Sequence, residues 1–451
     1  MKADRDLKVY IKTFGCQMNE RDSESAAALL SADAFSITDS EKDADILIFN
    51  TCSVRDQAER KAIGKIGILK RLKRSRPHIF IGIMGCMAQS RGAELLKEIP
   101  HLDFVIGTGQ LHRLPEIIKS EIRKRHKTVF DELARPDFNA LAAHLADTEN
   151  NFSASIAVMT GCNRFCSYCI VPYVRGREHS RPPDEIIEEA EKLVASGVRE
   201  ILLLGQNIAA YGLDGKSPPK DAFSPFAELL EKLNNIDGLY RIRFTSPHPA
   251  YFNDRLIDAV TSLPKICESI HLPLQSGSDR ILKLMNRPYT SAHYMSVVNK
   301  LKSKSPRMIF STDVIVGFPG ETEDDFNATR GIMNEVAFDN AFIFKYSKRR
   351  DTLAAEMPEQ LEQKIKEERN KILLEDLAER TGRYNASLVG KILEVMAEGP
   401  SKRNSSRWAG RSSSNKIVIF EPESSVSSGS LINVKIERST PMTLFGKIQV
   451  S

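Results

Sequence analysis

Cys162, Cys166 and Cys169 stand within eight residues of one another in the run MTGCNRFCSYCIVPYVRGRE. Thiolates packed so closely grip one metal centre. Three ligands are one short of the closed tetrahedral shell that a structural zinc prefers. An iron–sulfur cubane held by three cysteines keeps one iron open to a further ligand. The bland alternative is a zinc knuckle lacking its fourth ligand, or three unrelated thiols. Three more cysteines, Cys16, Cys52 and Cys86, lie far upstream at spacings of 36 and 34 residues. Each closes an apolar run and precedes a helical pattern: KVYIKTFGC, DILIFNTC and IFIGIMGC. A lone cysteine at a strand end is usually a small core hydrophobe, but three in register read as one shared metal site. Cys267, inside KICESIHLPL, is the seventh and reads as core.

The elements that must position these residues are legible as patterns. Short continuous apolar runs alternating with amphipathic helices predict an N-terminal doubly wound parallel sheet, covered on both faces. In such sheets the loops at the carboxyl ends of the strands form the ligand crevice, and all three upstream cysteines fall there. Nearby helix N-termini favour thiolate over thiol. Residues 131–151 break the pattern and read as a linker, so a first domain of residues 1–135 is expected. A second domain, 151–380, shows about six strand–helix units with strands ASIAVMTG, REILLLGQN, RIRFTSPH, ESIHLPLQ, FSTDVIVGFPG and NAFIFKYS. These predict a partial (βα)6 barrel with its reactive groups at the C-terminal strand ends. Cys162 follows the first strand, and Gln206, Asn207, Ser246 and Gln275 end later ones. Ser224 before Pro225, and Thr322 with Asp325, mark helix starts.

From 383 to 451 the pattern changes to short strands, SLVGKILEVMAE, KIVIFEP, SLINVKIERS and TLFGKIQVS, which predict a small antiparallel β-barrel. The whole is an α/β multidomain chain. Its net charge is only +5, yet residues 381–451 hold ten Lys and Arg against five Glu and no Asp. Such asymmetry favours an anionic partner, most often nucleic acid. Lys402, Arg403, Arg407, Arg411 and Lys416 interleave with Trp408, the only tryptophan, as phosphate contact plus base stacking would require. A second basic run, Lys70, Arg71, Lys73, Arg74 and Arg76, follows Cys52. With 41% apolar and 27% charged residues the chain reads as globular. No run approaches the length of a membrane span, and the N-terminus has no secretory apolar core, so a cytoplasmic protein without a membrane partner is expected. An odd count of seven cysteines argues against a disulfide framework and for metal or redox use in a reducing compartment.

The spacing C-x3-C-x2-C, with Tyr168 before the last cysteine, resembles the radical S-adenosylmethionine (SAM) enzymes, in which SAM chelates the open iron through its amino and carboxylate groups. With TFGCQMN, NTCSVRDQAERK, MGCMAQ, LLLGQN, IRFTSPHP, IHLPLQSGSDRILKLMNR, DVIVGFPGETEDDF and AGRSSSNKIVIFE, essentially the whole chain resembles the methylthiotransferases, a branch of that superfamily. The final segment is similar to their RNA-binding TRAM domain, an OB-like barrel. GCQMN at Gly15–Asn19 and the run from Cys52 to Lys61 resemble the branch that modifies isopentenylated adenosine in tRNA, with Arg55 where a threonylcarbamoyl-adenosine branch has Thr. The resemblance implies two [4Fe–4S] clusters, on Cys162, Cys166 and Cys169 and on Cys16, Cys52 and Cys86. It implies SAM at the strand-end residues Gln206, Asn207, Ser246 and Gln275. The reaction implied replaces the C2 hydrogen of the adenosine with a methylthio group, a radical transfer carried by the cofactors. No side chain stands out as a general base. Implied partners are tRNA carrying isopentenylated adenosine, a flavodoxin or ferredoxin electron donor, and sulfur-delivery or cluster-assembly proteins. Two other readings remain open here: a methylthiotransferase for threonylcarbamoyl adenosine or a ribosomal protein, and a non-catalytic iron–sulfur RNA-binding redox sensor. One departure stands out. Arg350 and Asp351 replace the Pro–Gly that follows the last barrel strand in the family.

Overall fold

The computed structural model describes residues 7–53, 56–124, 127–134, 136–145, 152–216 and 223–449. Arg55 and the expected boundaries at 135 and 151 lie outside the described residues. The N-terminal sheet has strands β1 (Leu7–Phe14), β2 (Phe35–Ile37), β3 (Ile46–Thr51), β4 (Phe80–Gly85), β5 (Phe104–Ile106) and β6 (Thr128–Phe130). Their order is β2-β1-β3-β4-β5-β6, and every neighbouring pair is parallel. Burial explains the unbroken apolar runs. Leu47 and Phe49 of β3 pack beneath Ala62, Ile66 and Leu69 of helix α2 (Asp56–Ser75) and Leu95 of helix α3 (Cys86–Glu98). Ile46 and Ile48 face the other way, against Ala26 and Leu30 of helix α1 (Gln17–Ala32). Each of these Leu, Ile and Phe side chains adds about 1.5–3 kcal/mol when fully buried. The strand order reverses between β1 and β3, the position where open α/β sheets leave a crevice.

The central region carries the six expected strands, Ser153–Ala157, Glu200–Leu204, Arg241–Phe244, Ser269–His271, Ile309–Val316 and Asn340–Lys345. They form two parallel three-stranded sheets joined at an Ile242–Ile266 bridge, giving a partial barrel. One continuous core runs through both. Ser224 caps its helix by accepting from the Ala227 amide, and Thr322 with Asp325 forms a reciprocal capping box. A helix at Gln363–Ser387 lies along the last strand, where Asn370 Nδ2 donates to the Ile343 carbonyl at 2.7 Å.

Five strands, Ile392–Ser401, Asn404–Ser412, Ile417–Phe420, Leu431–Ser439 and Leu444–Ile448, close into a small barrel. All pairings are antiparallel except that of Ile417–Phe420 with Leu444–Ile448. The sequence pattern gives four of these strands. The fifth, Asn404–Ser412, has its first three residues exposed and little β-branched character, so only its two neighbours define it. Trp408 lies on this strand, half-buried against the barrel core. The basic strip needs correction. Lys416 is buried, ion-paired with Asp339 and donating to Asn385 Oδ1 at 2.6 Å. Arg411 pairs with Glu398 at 2.8 Å, while Lys402 and Arg403 stay exposed.

The three parts stack along the barrel axis. The small barrel sits under the N-terminal ends of the central strands. Arg241 and Arg243 donate to the carbonyls of Arg411, Ser412 and Ser413, the Glu268 amide donates to Ser413 Oγ, and Asp339 holds Lys416. The N-terminal sheet covers the opposite, C-terminal ends, and its Phe14 and Gly15 line the cavity there. No helix among the described residues is long and apolar enough to cross a membrane.

Candidate active site

Parallel register puts the upstream cysteines in one row. Phe14 pairs with Thr51, and Thr51 pairs with Gly85, so Cys52 and Cys86 come level, and Cys16, one residue beyond Gly15, reaches back into contact with Cys52. Strands about 4.8 Å apart then carry Cys16, Cys52 and Cys86 on adjacent ends. The row is braced from below. Asn19 Nδ2 donates to Asn50 Oδ1 at 3.0 Å, Asn50 Nδ2 donates back to the Asn19 carbonyl at 2.7 Å, and Cys16 Sγ donates to Asn19 Oδ1 at 3.3 Å. Gly85 is required by its φ of +93° and by Asn50 Oδ1, which a Cβ would meet at 2.2 Å.

The charge at this row comes from another part of the chain. Arg175, in the short helix Val171–Arg175 that follows Cys169, ion-pairs with Asp22 of α1 at 2.6 Å, and both side chains are buried. Ile170 and Val174, flanking that turn, pack against Cys86. Contact with Cys52 holds the Cys16 thiol down at about 6 against the opposing effect of burial, with Arg175 helping. Burial pushes the Cys86 thiol up.

The central cysteines are held differently, by one loop and its clasp. Gly161, at φ +77°, passes so close to the Arg177 carbonyl that a Cβ would sit 1.9 Å away. Ser167 N and Oγ donate to the carbonyls of Met285 and Leu284. Asn286 Nδ2 donates to the Phe165 carbonyl at 3.0 Å, and Arg287 Nη1 reaches Cys166 Sγ at 3.5 Å. The run KLMNR thus clamps the cysteine loop, a role its motif does not advertise. Burial pushes the Cys162 thiol up to about 11 and the Cys169 thiol higher.

Cys162, Cys166 and Cys169 line a cavity of about 1220 Å³ at the C-terminal strand ends. That exceeds the about 300–1,000 Å³ of ordinary small-molecule sites. Gln206, Asn207, Ser246 and Gln275 line the same cavity, so all four strand-end candidates converge with the cysteines. Ser246 and Gln275 hold φ of +59° and +66°, strained for non-glycine residues and common at ligand sites. Gln206 Oε1 and Asn207 Nδ2 are buried without a protein partner among the described residues. His248 was not legible in the sequence. Its Nδ1 accepts from the Ala250 amide at 3.2 Å, so the ring carries its proton on Nε2, which has no partner among the described residues, and the residue lines the cavity. Burial pushes its pKa well down, which keeps it neutral.

These donor sets fit sulfur-ligated clusters better than a single ion. Among the described residues no three Cys, His, Asp or Glu side chains converge tightly enough for one metal ion. The orphaned polar atoms beside the central loop fit a polar cofactor. Cys267 is 2% exposed at the other end of the barrel, beside Arg243. At the departure after the last strand, Asp351 takes φ +61°, the conformation a glycine would supply, and Arg350 reaches Glu94 of α3 at 2.8 Å.

A partial parallel barrel with a C-x3-C-x2-C loop at its carboxyl edge defines a radical SAM protein. Residues 156–331 match the radical SAM superfamily, residues 8–107 the uncharacterized protein family UPF0004, and residues 386–448 the TRAM domain. Curated relatives named tRNA-2-methylthio-N(6)-dimethylallyladenosine synthase match nearly end to end. The Akkermansia muciniphila protein is 45% identical, covering 97% of this chain and 98% of its own. The Opitutus terrae protein is 43% identical, covering 98% of each. The chain belongs to this synthase family. Among solved structures, the radical SAM methyltransferase TsrM from Kitasatospora setae superposes with a TM-score of 0.57 at 13% identity, covering 75% of this chain and 73% of that one, which supports the fold alone.

Proposed function

We propose that this chain is a radical SAM transferase that adds a methylthio group to C2 of N6-isopentenyladenosine next to the anticodon of tRNA. The observation that carries this reading is the convergence of a three-cysteine loop and four polar strand ends on one cavity, which Phe14 and Gly15 at the end of β1, next to Cys16, also line. Its cofactors are SAM and two [4Fe–4S] clusters, which together supply the radical that removes an unactivated C2 hydrogen and the sulfur and methyl that replace it. Cys162, Cys166 and Cys169 hold one cluster, and Cys16, Cys52 and Cys86 hold the other. Gln206, Asn207, Ser246 and Gln275 orient SAM by hydrogen bonding, and the orphaned Gln206 Oε1 and Asn207 Nδ2 are the atoms available for it. Arg287 donates to the Cys166 sulfur, and Arg175 offsets negative charge at the upstream row. The N-terminal sheet keeps bulk water from the reacting centre.

Residues 1–135, 151–380 and 383–451 serve as cluster-bearing, radical SAM and TRAM RNA-binding domains. A flavodoxin or ferredoxin donates the electron, sulfur-delivery or cluster-assembly proteins restore the upstream cluster, and the work is cytoplasmic. Nucleoside mass spectrometry of tRNA from cells with and without the protein tests the reading. The 2-methylthio nucleoside should vanish without it, and the isopentenylated precursor should accumulate. An unchanged ratio of the two would overturn the assignment.

A further inference from the structure

Helix α2 leaves one long face uncovered, and that face starts at the rim of the cavity. Gln57, Ala58, Arg60 and Lys61 line the cavity. Gly64, Gly67, Ile68, Lys70, Arg71 and Arg74 continue the helix outward, and all are exposed. Twenty residues span about 30 Å at 1.5 Å each. Glycine inside a helix costs stability relative to alanine. Nothing among the described residues asks for it here, because a Cβ at Gly64 or Gly67 would meet none of their atoms within 4 Å. A bare stretch of helix backbone between cations suits the close approach of another molecule's backbone.

The charge on this face is positive. Glu59 is tied to Arg91 at 3.0 Å, and Glu41 and Asp103 to the half-buried Lys65 and Lys73 at 2.6 and 2.7 Å, so these carboxylates do not pair with the exposed cations Lys70, Arg71 and Arg74. Arg76 is turned inward, donating to the Ala44 carbonyl at 2.8 Å. The small C-terminal barrel does not reach this region. It sits at the far end of the central strands, and an eight-residue strand such as Ile309–Val316 is about 26 Å long. Its Lys416 is buried, and its Arg411 is paired. A nucleic acid with its target base in the cavity needs a grip close to the cavity as well.

We infer that the exposed face of α2 is a phosphate-tracking surface for the RNA flanking the target nucleotide. Gly64 and Gly67 admit the sugar–phosphate backbone, and Lys70, Arg71 and Arg74 neutralise phosphates beyond them. The inference rests on the tRNA reading above and adds where the RNA lies.

The test uses full-length, cluster-loaded protein and an anticodon stem–loop RNA bearing N6-isopentenyladenosine. Changing Lys70→Gln, Arg71→Gln and Arg74→Gln together should flatten the slope of log affinity against log salt by about two to three and weaken binding about tenfold or more. Changing Gly64→Gln and Gly67→Gln should also weaken binding, while the thermal midpoint stays level or rises, because glutamine is the better helix former. Lower affinity with undiminished stability separates a blocked surface from a folding defect. Reductive SAM cleavage should be unchanged in both variants. Wild-type affinity and salt slope in both variants, with product still formed, would overturn this inference and leave the tRNA reading intact. Slower reduction by an acidic flavoprotein with unchanged RNA affinity would overturn it too, and assign the face to an electron carrier. Failure of the wild-type protein to methylthiolate this RNA would instead strike the tRNA reading itself.

Discussion

The two cysteine sets are assembled in opposite ways. The central set comes from a single loop, closed by the Ser167 and Asn286 hydrogen bonds, with Arg287 Nη1 reaching Cys166 Sγ. The upstream set comes from three strand ends that only the β1-β3-β4 register brings level. The electrostatics differ as well. Burial raises the Cys162 and Cys169 thiols, whereas contact with Cys52 and the field of Arg175 lower that of Cys16. The upstream row therefore borrows its compensating charge from the helix that follows the central loop. One set lies in a single loop clamped from within its own region, and the other is complete only when the regions are docked.

Four experiments can break or sharpen that contrast. The largest effect is expected from replacing Cys162, Cys166 and Cys169 with alanine. About half of the iron should be lost by metal analysis, reductive SAM cleavage should fall to background, and no product should form. Iron that stayed whole, or vanished entirely from folded protein, would end the division into two sites. Replacing Cys16, Cys52 and Cys86 should remove the other half of the iron and all methylthio product, yet leave SAM cleavage near the wild-type rate. Normal product formation in that variant would refute the separate roles.

Arg175→Gln probes the dependence of one set on the other. It leaves Asp22 buried without its cation, so denaturant unfolding should show a loss of about 3–5 kcal/mol. Iron should leave the upstream cysteines before the central ones, and Arg175→Lys should restore part of both effects. Equal iron loss from the two sets would show that Arg175 only stabilises the fold.

The smallest effect concerns the staple between the two regions. His144 bridges Glu24 of α1 and Glu189 of the central region, at 2.8 Å to each. Burial works against its charge, but the two carboxylates win and raise its pKa above the ordinary value. A histidine raised on folding contributes fully below its unfolded pKa of about 6.5, and the contribution fades as pH rises through the higher folded value. His144→Gln should therefore destabilise the protein at pH 6, and the gap from wild type should close with rising pH. A gap independent of pH would mean that the ring acts by packing alone.

Legibility in the sequence followed the range of the interaction. The three-cysteine loop, the six barrel strands and the caps at Ser224 and Thr322 depend on nearest neighbours, and each was visible as a motif or a period. Strand Asn404–Ser412 was invisible because two neighbouring strands, not its own composition, hold it extended. Lys416 looked like one more cation in a basic strip, and only docking against Asp339 turned it inward. Arg175 lay in a quoted motif as an unremarked residue, because its partner Asp22 is 153 positions away.

By itself, the sequence determined the chemistry available: six thiols in two groups of three, polar residues at successive strand ends, and a parallel α/β scaffold to carry them. Apolar periodicity and ligand spacing are local quantities, so they survive in the bare chain. The tertiary structure decided the rest. It decided that the upstream thiols meet in one row, that a guanidinium from the central region compensates them, and that the basic small barrel docks at the end of the central strands opposite the cavity. Those outcomes depend on register and on buried charge pairs between distant residues, and neither leaves a periodic trace in the order of the amino acids.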